Sequence, residues 1–290
     1  MYTYKTKKLP KNTVEITLTI PKALVASENE KAFERLRLGL TVEGFRKGKV
    51  PTEIAKKHLG KDTVYQEMFK VLLSRIYEEI LKKDNLKPIM NPRIDLIKAK
   101  EDEDWEIKIG FAEKPEIKLN AYKEKIKEVK AKNKKADIWT PGKDLSNQKK
   151  PDEKKSNSKL MNLILEAVLK EVKVEISDLI VEEELSARLS RLVDDVRKIG
   201  LTTEAYLKSK NLTMEQLKAS FKKEIEDTYK LEFLLAEVAD QENIKVDKED
   251  LDKLLTNIKD EKERQVATAN SYYYATILRK QKTLDYLISL

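Results

Sequence analysis

With 290 residues the chain is long enough for two domains and a substantial core, and its 38% charged and 7% aromatic residues, with only 7 Gly and 8 Pro, argue for long solvated amphipathic helices over an all-β fold. The lack of Cys excludes disulfides and thiol chemistry and fits a reducing compartment. The net charge is +8, and residues 123–159, with 13 Lys against six acidic residues, hold nearly all of it, so an anionic partner would be met locally and not on a broad basic face.

The N-terminus "MYTYKTKKLPKNTVEITL" has no apolar run of the signal-peptide kind, and no stretch approaches the roughly 18 apolar residues of a membrane span. The chain therefore reads as soluble and cytosolic. "TVEITLTI" at 13–20 alternates, with Val14, Ile16, Leu18 and Ile20 on one side, and predicts a half-buried strand. Pro21 suits the first turn of a helix, whose apolar stripe is Ala32, Phe33, Leu36 and Leu40. A short helix is predicted over 52–59, ended by Gly60 in the left-handed conformation. Asp62 is placed as the cap of a longer helix bearing Val64, Met68, Val71, Leu72, Ile76 and Ile80 on one face. "RIDLI" and "WEIKIGF" read as strands, which makes the first 120 or so residues an α+β domain.

Residues 123–158 read as a lysine-rich linker, the second half turn-forming and polar with almost nothing to bury. From Lys159 the pattern is helical to the end. Leu160, Leu163, Ile164, Ala167 and Val168 form one stripe, and Leu185, Leu189, Leu192, Val196 and Ile199 another. "TMEQ" at 213–216 is a capping box, and Asp247 caps a later helix.

Catalytic chemistry is hard to assemble. One histidine, His58, and no Cys leave little for a transition metal or a nucleophile–base pair, and His58 reads as a helix-surface residue. No phosphate-binding loop or dinucleotide fingerprint occurs, and the carboxylates sit at solvated helical spacings. No cofactor and no metal are expected.

The loop "EGFRKGKVP" at 43–51 is different. It holds Phe45 between two glycines, beside Arg46, Lys47 and Lys49. On pattern alone two readings stand. Either the loop merely joins two helices with Phe45 tucked into the core, or it is a docking tip whose Arg46 forks onto a carboxylate or phosphate, whose lysines add charge and whose Phe45 adds apolar area.

"GFRKGKVP" at 44–51, with "TVEITLTI" before it and "PTEIAKKHLG" and "AEKPEIKL" after it, resembles the ribosome-binding domain of the trigger factor family, ribosome-associated chaperones of bacteria. The helical region from "LMNLILEAVLKEVKVEISDLIVEEELSARL" to about Leu255 is similar to that family's C-terminal domain. The resemblance implies a ribosome-binding α+β domain at 1–122 and an elongated all-α chaperone domain at 159–290. It departs from the family in one respect: the segment 123–158 stands where a peptidyl-prolyl isomerase domain is normally inserted, and a helix that precedes that domain is expected to be missing too.

By the same resemblance, Gly44, Phe45, Arg46, Lys47, Gly48 and Lys49 dock on the ribosome, against a large-subunit protein and rRNA near the exit tunnel. Nascent or unfolded polypeptides are the second partner, with Met161, Met214, Tyr272, Tyr273 and Tyr274 as client contacts. The implied function is an ATP-independent holdase of the cytoplasm without isomerase activity; no membrane is involved, and a weak homodimer is allowed. Two alternatives stand beside it. A ribosome- or RNA-binding factor without chaperone activity would want aromatics among the cations of the lysine-rich segment, which holds only Trp139. A periplasmic holdase of similar helical shape is opposed by the lack of a signal peptide and by the intact loop.

Overall fold

The computed structural model describes residues 1–100, 103–119, 121–136, 153–256, 258 and 260–290. The chain divides into two compact units: Met1–Lys114 with Ser177–Glu183, and Pro115–Ile176 with Glu184–Leu290.

The first unit is built on a four-stranded antiparallel sheet in the order β1-β2-β4-β3. Its strands are β1 (Thr3–Leu9), β2 (Thr13–Ile20), β3 (Arg93–Lys98) and β4 (Trp105–Ala112). The alternation of β2 and β4 does what it predicts. Val14, Ile16, Leu18 and Ile20 lie side by side with Phe111, Ile109, Ile107 and Trp105 across the β2–β4 register, and all eight are buried. Three helices follow the sequence pattern closely: α1 (Lys22–Gly39), α2 (Thr52–His58) and α3 (Lys61–Lys83). Val25 and Ala32 of α1 and Met68, Leu72, Ile76 and Ile80 of α3 close the core against the sheet. Tyr77 meets Phe111 edge-on at 5.9 Å, and Trp105 lies near both Tyr65 and Phe69.

Glu28 is the charged exception in this core. Its carboxylate accepts from Lys31 at 3.0 Å and from Arg75 at 3.1 Å. Burial alone would raise its pKa, but the two cations outweigh it and hold the group below the ordinary carboxylate value.

One strand goes unread in the sequence, and two expectations are corrected. β1 has no apolar alternation and escapes sequence reading, because an edge strand places only Tyr4, Thr6 and Lys8 over the helix-covered face, opposite Leu18, Ile16 and Val14. Gly60 does not end α2 in a left-handed conformation: its φ is −62° and ψ 147°, so it is extended and serves as the residue before α3. Asp62 therefore sits inside the first turn of α3, where its charge suits the helix dipole, and caps nothing.

Ser177–Glu183 also joins this unit. The Thr13 and Ser177 hydroxyls lie 2.8 Å apart, Lys11 donates to Asp178 at 2.7 Å, and Leu179 presses so close to Gly110 that a Cβ there would lie 3.3 Å from it. A helical run read as one continuous C-terminal domain thus lends its first turn to the sheet.

The second unit is all-α. It contains α4 (Tyr122–Ala136), α5 (Glu153–Glu171), most of α6 (Asp178–Lys198), α7 (Thr203–Ser209), α8 (Met214–Gln241), α9 (Lys248–Thr256), α10 (Glu261–Ala269) and α11 (Ser271–Ser289). The capping box is present as read, with Gln216 N–H donating to Thr213 Oγ1 at 3.1 Å and Thr213 N–H to Gln216 Oε1 at 2.9 Å. Asp247 and Asp250 cap the start of α9 reciprocally in the same way, at 3.0 and 3.1 Å.

α4 corrects the linker assignment. The stretch from 123 begins as a helix that buries Tyr122 and Ile126 and packs on α5. Trp139 and the linker residues up to 152 lie outside the described residues, and from Glu153 the expected linker is already α5. α4 is anchored by polar contacts. Glu242, just past α8, accepts from Tyr122 Oη at 2.7 Å, Tyr286 Oη at 2.6 Å and Lys123 Nζ at 2.7 Å. The hydrogen bonds from Lys123, Tyr286 and Tyr122 pull its carboxyl down to about 2.

Candidate docking loop

α1 ends at Gly39, and Leu40 turns extended while its N–H still reaches Arg37 O at 3.2 Å. Two tight turns then follow directly. In Val42–Phe45 the Phe45 N–H donates to Val42 O at 3.1 Å, and in Arg46–Lys49 the Lys49 N–H donates to Arg46 O at 2.9 Å. Each turn carries glycine in third position with positive φ, +84° at Gly44 and +77° at Gly48. That is the sequence demand of a type II turn, and it explains why the glycines are spaced by four.

The far end of the loop is pinned. Val50 is fully buried, and Arg37 Nη1 donates to its carbonyl at 3.1 Å. Glu34 holds the same guanidinium through Nε at 3.0 Å and Nη2 at 2.6 Å, a two-point grip that fixes its plane. A Cβ on Gly48 would lie 3.4 Å from Leu38 O, so the second turn lies close against the end of α1. Pro51 then precedes α2.

The loop's side chains point to solvent. Phe45 is 38% exposed and is not part of the unit's core, which settles its placement against the tucked-in reading. Arg46, Lys47 and Lys49 are exposed, and none of them has a carboxylate partner among the described residues. The result is a pre-shaped tip with an aromatic beside three unspent cations. Such a tip suits an anionic surface that also offers an apolar contact.

The five proposed client contacts are scattered over the second unit. Tyr272 and Tyr273, at the start of α11, are 87% and 63% exposed. Tyr274 is half-buried, its ring edge-on to that of Tyr273 at 5.6 Å. Met214 opens α8 and is exposed, whereas Met161 on α5 is half-buried.

Sequence reading picked Met214 but missed three other exposed apolar residues at helix junctions. Ile199 and Leu201 flank Gly200 at the α6–α7 junction, and Leu212 and Met214 flank Thr213 at the α7–α8 junction; all four are exposed, Ile199 at 68%. The period places Ile199 on the apolar stripe of α6, but it lies past the helix's last turn, where the period no longer dictates direction. A signal was available: in each case large aliphatic residues bracket the very residue that breaks or starts a helix. His58 is exposed at the end of α2, and no group of three or more potential metal ligands occurs among the described residues. Among those residues, no helix is long and apolar enough to cross a membrane.

Comparison with known proteins agrees with this geometry. The trigger factors of Lactiplantibacillus plantarum and Levilactobacillus brevis are 36% and 32% identical over 120 and 119 residues, 41% of this chain in each case. The trigger factor of Streptococcus pneumoniae is 34% identical over 108 residues. These matches span only about a quarter of each relative, 27% for the L. plantarum protein. A solved chain described as "Promiscuous Substrate Recognition in Folding and Assembly Activities of the Trigger Factor Chaperone" superposes with a TM-score of 0.62 at 15% identity, covering 98% of this chain and 99% of that one, and so shares the fold. The family model "Bacterial trigger factor protein (TF)" matches residues 2–140, and "Bacterial trigger factor protein (TF) C-terminus" matches 143–288, abutting with no room for an inserted isomerase domain. With a sheet-based first unit, a helical second unit and both family matches spanning nearly its whole length, the chain belongs to the trigger factor family.

Proposed function

We propose that this protein is an ATP-independent cytoplasmic chaperone that docks at the ribosomal exit site and shields emerging polypeptides. Phe45, Arg46 and Lys47 make the docking contact with a large-subunit protein and adjacent rRNA, Lys49 adds charge, and Gly44 and Gly48 shape the tip. The observation that carries this reading is the loop itself: two consecutive glycine turns, pinned through Arg37, that hold in solvent an aromatic and three cations without a carboxylate partner among the described residues.

Client holding falls to the second unit. Its exposed apolar residues, among them Ile199, Leu201, Tyr272 and Tyr273, offer many weak contacts, each worth roughly 25 cal/mol per Å² covered. Release needs no nucleotide, because a client that buries its own apolar surface stops competing for the chaperone's. No proline isomerisation is expected, since the two family matches leave only residues 141–142 between them.

The alternative of an RNA-gripping factor loses three of its cations to contacts within the helical unit. Lys123 pairs with Glu242, Lys125 with Glu128 and Glu171, and Lys130 with the Ile288 carbonyl.

The test is co-sedimentation of the full chain with purified ribosomes across a salt series, alongside suppression of aggregation of a denatured client without nucleotide. Binding should fall steadily as salt rises, and suppression should appear near stoichiometric ratios. A chain that leaves aggregation unchanged at several-fold excess is not a holdase.

A further inference from the structure

The sheet of the first unit has two edges, and they are finished differently. β1, at one edge, presents exposed Lys5, Lys7 and Lys8, the kind of charged side chain that discourages another strand from adding. β3, at the other edge, has every residue exposed, and three of its six are large and aliphatic: Ile94 at 40%, Leu96 at 53% and Ile97 at 50%. The register gives the reason. Ile94 stands opposite Ile109 and Leu96 opposite Ile107, and both β4 residues are fully buried in the core. Cross-strand partners share a face, so Ile94 and Leu96 continue the core's apolar face one strand past its cover. Among the described residues no strand pairs with the outer side of β3.

We propose that the outer edge of β3 receives a short extended segment of unfolded polypeptide as a fifth strand, its alternate apolar side chains resting on Ile94 and Leu96. The inference rests on the chaperone reading and names a client site in the first unit. Backbone pairing supplies the affinity and is indifferent to client sequence, while the apolar step selects alternating apolar segments. The charges at the start of the strand do not oppose this. Arg93 pairs with Glu182 at 3.1 Å and Asp95 at 3.6 Å, so it is neutralised within the unit.

The length of the edge decides the occupant. The register shifts between Leu96 and Lys98, which leaves regular pairing only over Arg93–Leu96, four residues. A stable protein interface needs on the order of 1,000 Å². Four residues paired edge to edge with a second copy fall well short, whereas a brief contact with an unfolded segment requires no such area and lets go readily.

The test uses fluorescence anisotropy of a short labelled peptide alternating valine and threonine, titrated with the full chain. A second peptide carries the same side chains with every backbone amide N-methylated, which removes strand pairing and keeps the apolar contact. The parent peptide should bind, and N-methylation should weaken it by about tenfold or more, as should the double variant I94K/L96K. S74K, which alters an exposed serine of α3 in the first unit, should change nothing. Equal binding of the two peptides overturns the proposal, and because it is read on the unmutated chain it does not depend on a variant folding. Unchanged binding by I94K/L96K, or equal weakening by S74K, also overturns it. So does a parent dimer that I94K/L96K dissociates, since the edge would then serve self-association. If the parent suppresses client aggregation while the peptide results fail, this site falls and the proposed function stands. If the peptides behave as expected while aggregation is untouched, the strand site stands and the holdase reading falls.

Discussion

In the first unit Phe111, Ile16, Leu18, Met68 and Ile76 belong to one apolar core shared by the sheet and two helices, with Glu28 as its charged exception. In the second, many contacts between helices are polar: Tyr122, Tyr286 and Lys123 converge on Glu242, Arg279 holds Asp240 and the Ile244 carbonyl, Lys280 holds Glu232, and Lys282 holds Asp250. Aliphatic and aromatic side chains such as Ile199 and Tyr272 meanwhile stay in solvent. The contrast fits the proposed division of labour. A unit that presents a shaped loop gains from a rigid apolar base, whereas a unit proposed to cover clients gains from polar ties that leave apolar area uncommitted.

The largest effect that would sharpen this contrast is in the first unit. Phe111→Ala removes a fully buried ring that contacts Tyr77, and should cost about 3–5 kcal/mol in urea unfolding. A loss below about 1 kcal/mol would mean the sheet is not held by apolar packing. Glu242→Ala is the counterpart in the second unit. It strips the acceptor from Tyr122, whose residue is only 5% exposed, and from Tyr286 and Lys123, and should cost about 1–3 kcal/mol. No measurable change would deny that the polar knot matters.

A pH scan sharpens the same point. Glu242 has its folded pKa lowered from the ordinary 4.5 to about 2. A depressed carboxylate stabilises the fold above its unfolded pKa, and the contribution drains away as pH falls from about 4.5 toward 2. The parent should therefore lose stability in that window more steeply than Glu242→Ala, and parallel curves would remove Glu242 from the account. A smaller effect is expected from Gly44→Ala, which places a Cβ at a φ of +84° that L-residues avoid, costing about 1–2 kcal/mol of local strain. Ribosome binding should weaken while the circular dichroism spectrum stays the same, whereas unchanged binding would show that this turn does not shape the contact.

Legibility in the sequence follows the same divide. β2 and β4 are written in strict alternation because one face of each strand meets the core, and α3 is written in its apolar stripe. β1 is not, because an edge strand can lay Tyr, Thr and Lys over a core and still pair. α4 hides behind its lysines, since burying Tyr122 and Ile126 and making several salt bridges holds it without a full apolar face. The first turn of α6 reads as helix, but periodicity carries no record of which unit Leu179 will touch. At the loop, the glycine spacing announces the turns, yet a lone Phe has no period to say whether it points in or out. Ile199 and Leu201 were illegible for a related reason, lying at a helix end where the 3.6-residue rule stops applying.

The account stands or falls on the loop. Its most direct test is ribosome co-sedimentation at moderate salt of Phe45→Ala, Arg46→Ala, Lys47→Ala combined, measured beside the parent with circular dichroism as a folding control. All three side chains are exposed and outside the core, so the variant should fold normally and leave the ribosome pellet. A correctly folded triple variant that still pellets with ribosomes as the parent does would contradict the assignment of the loop as the docking site.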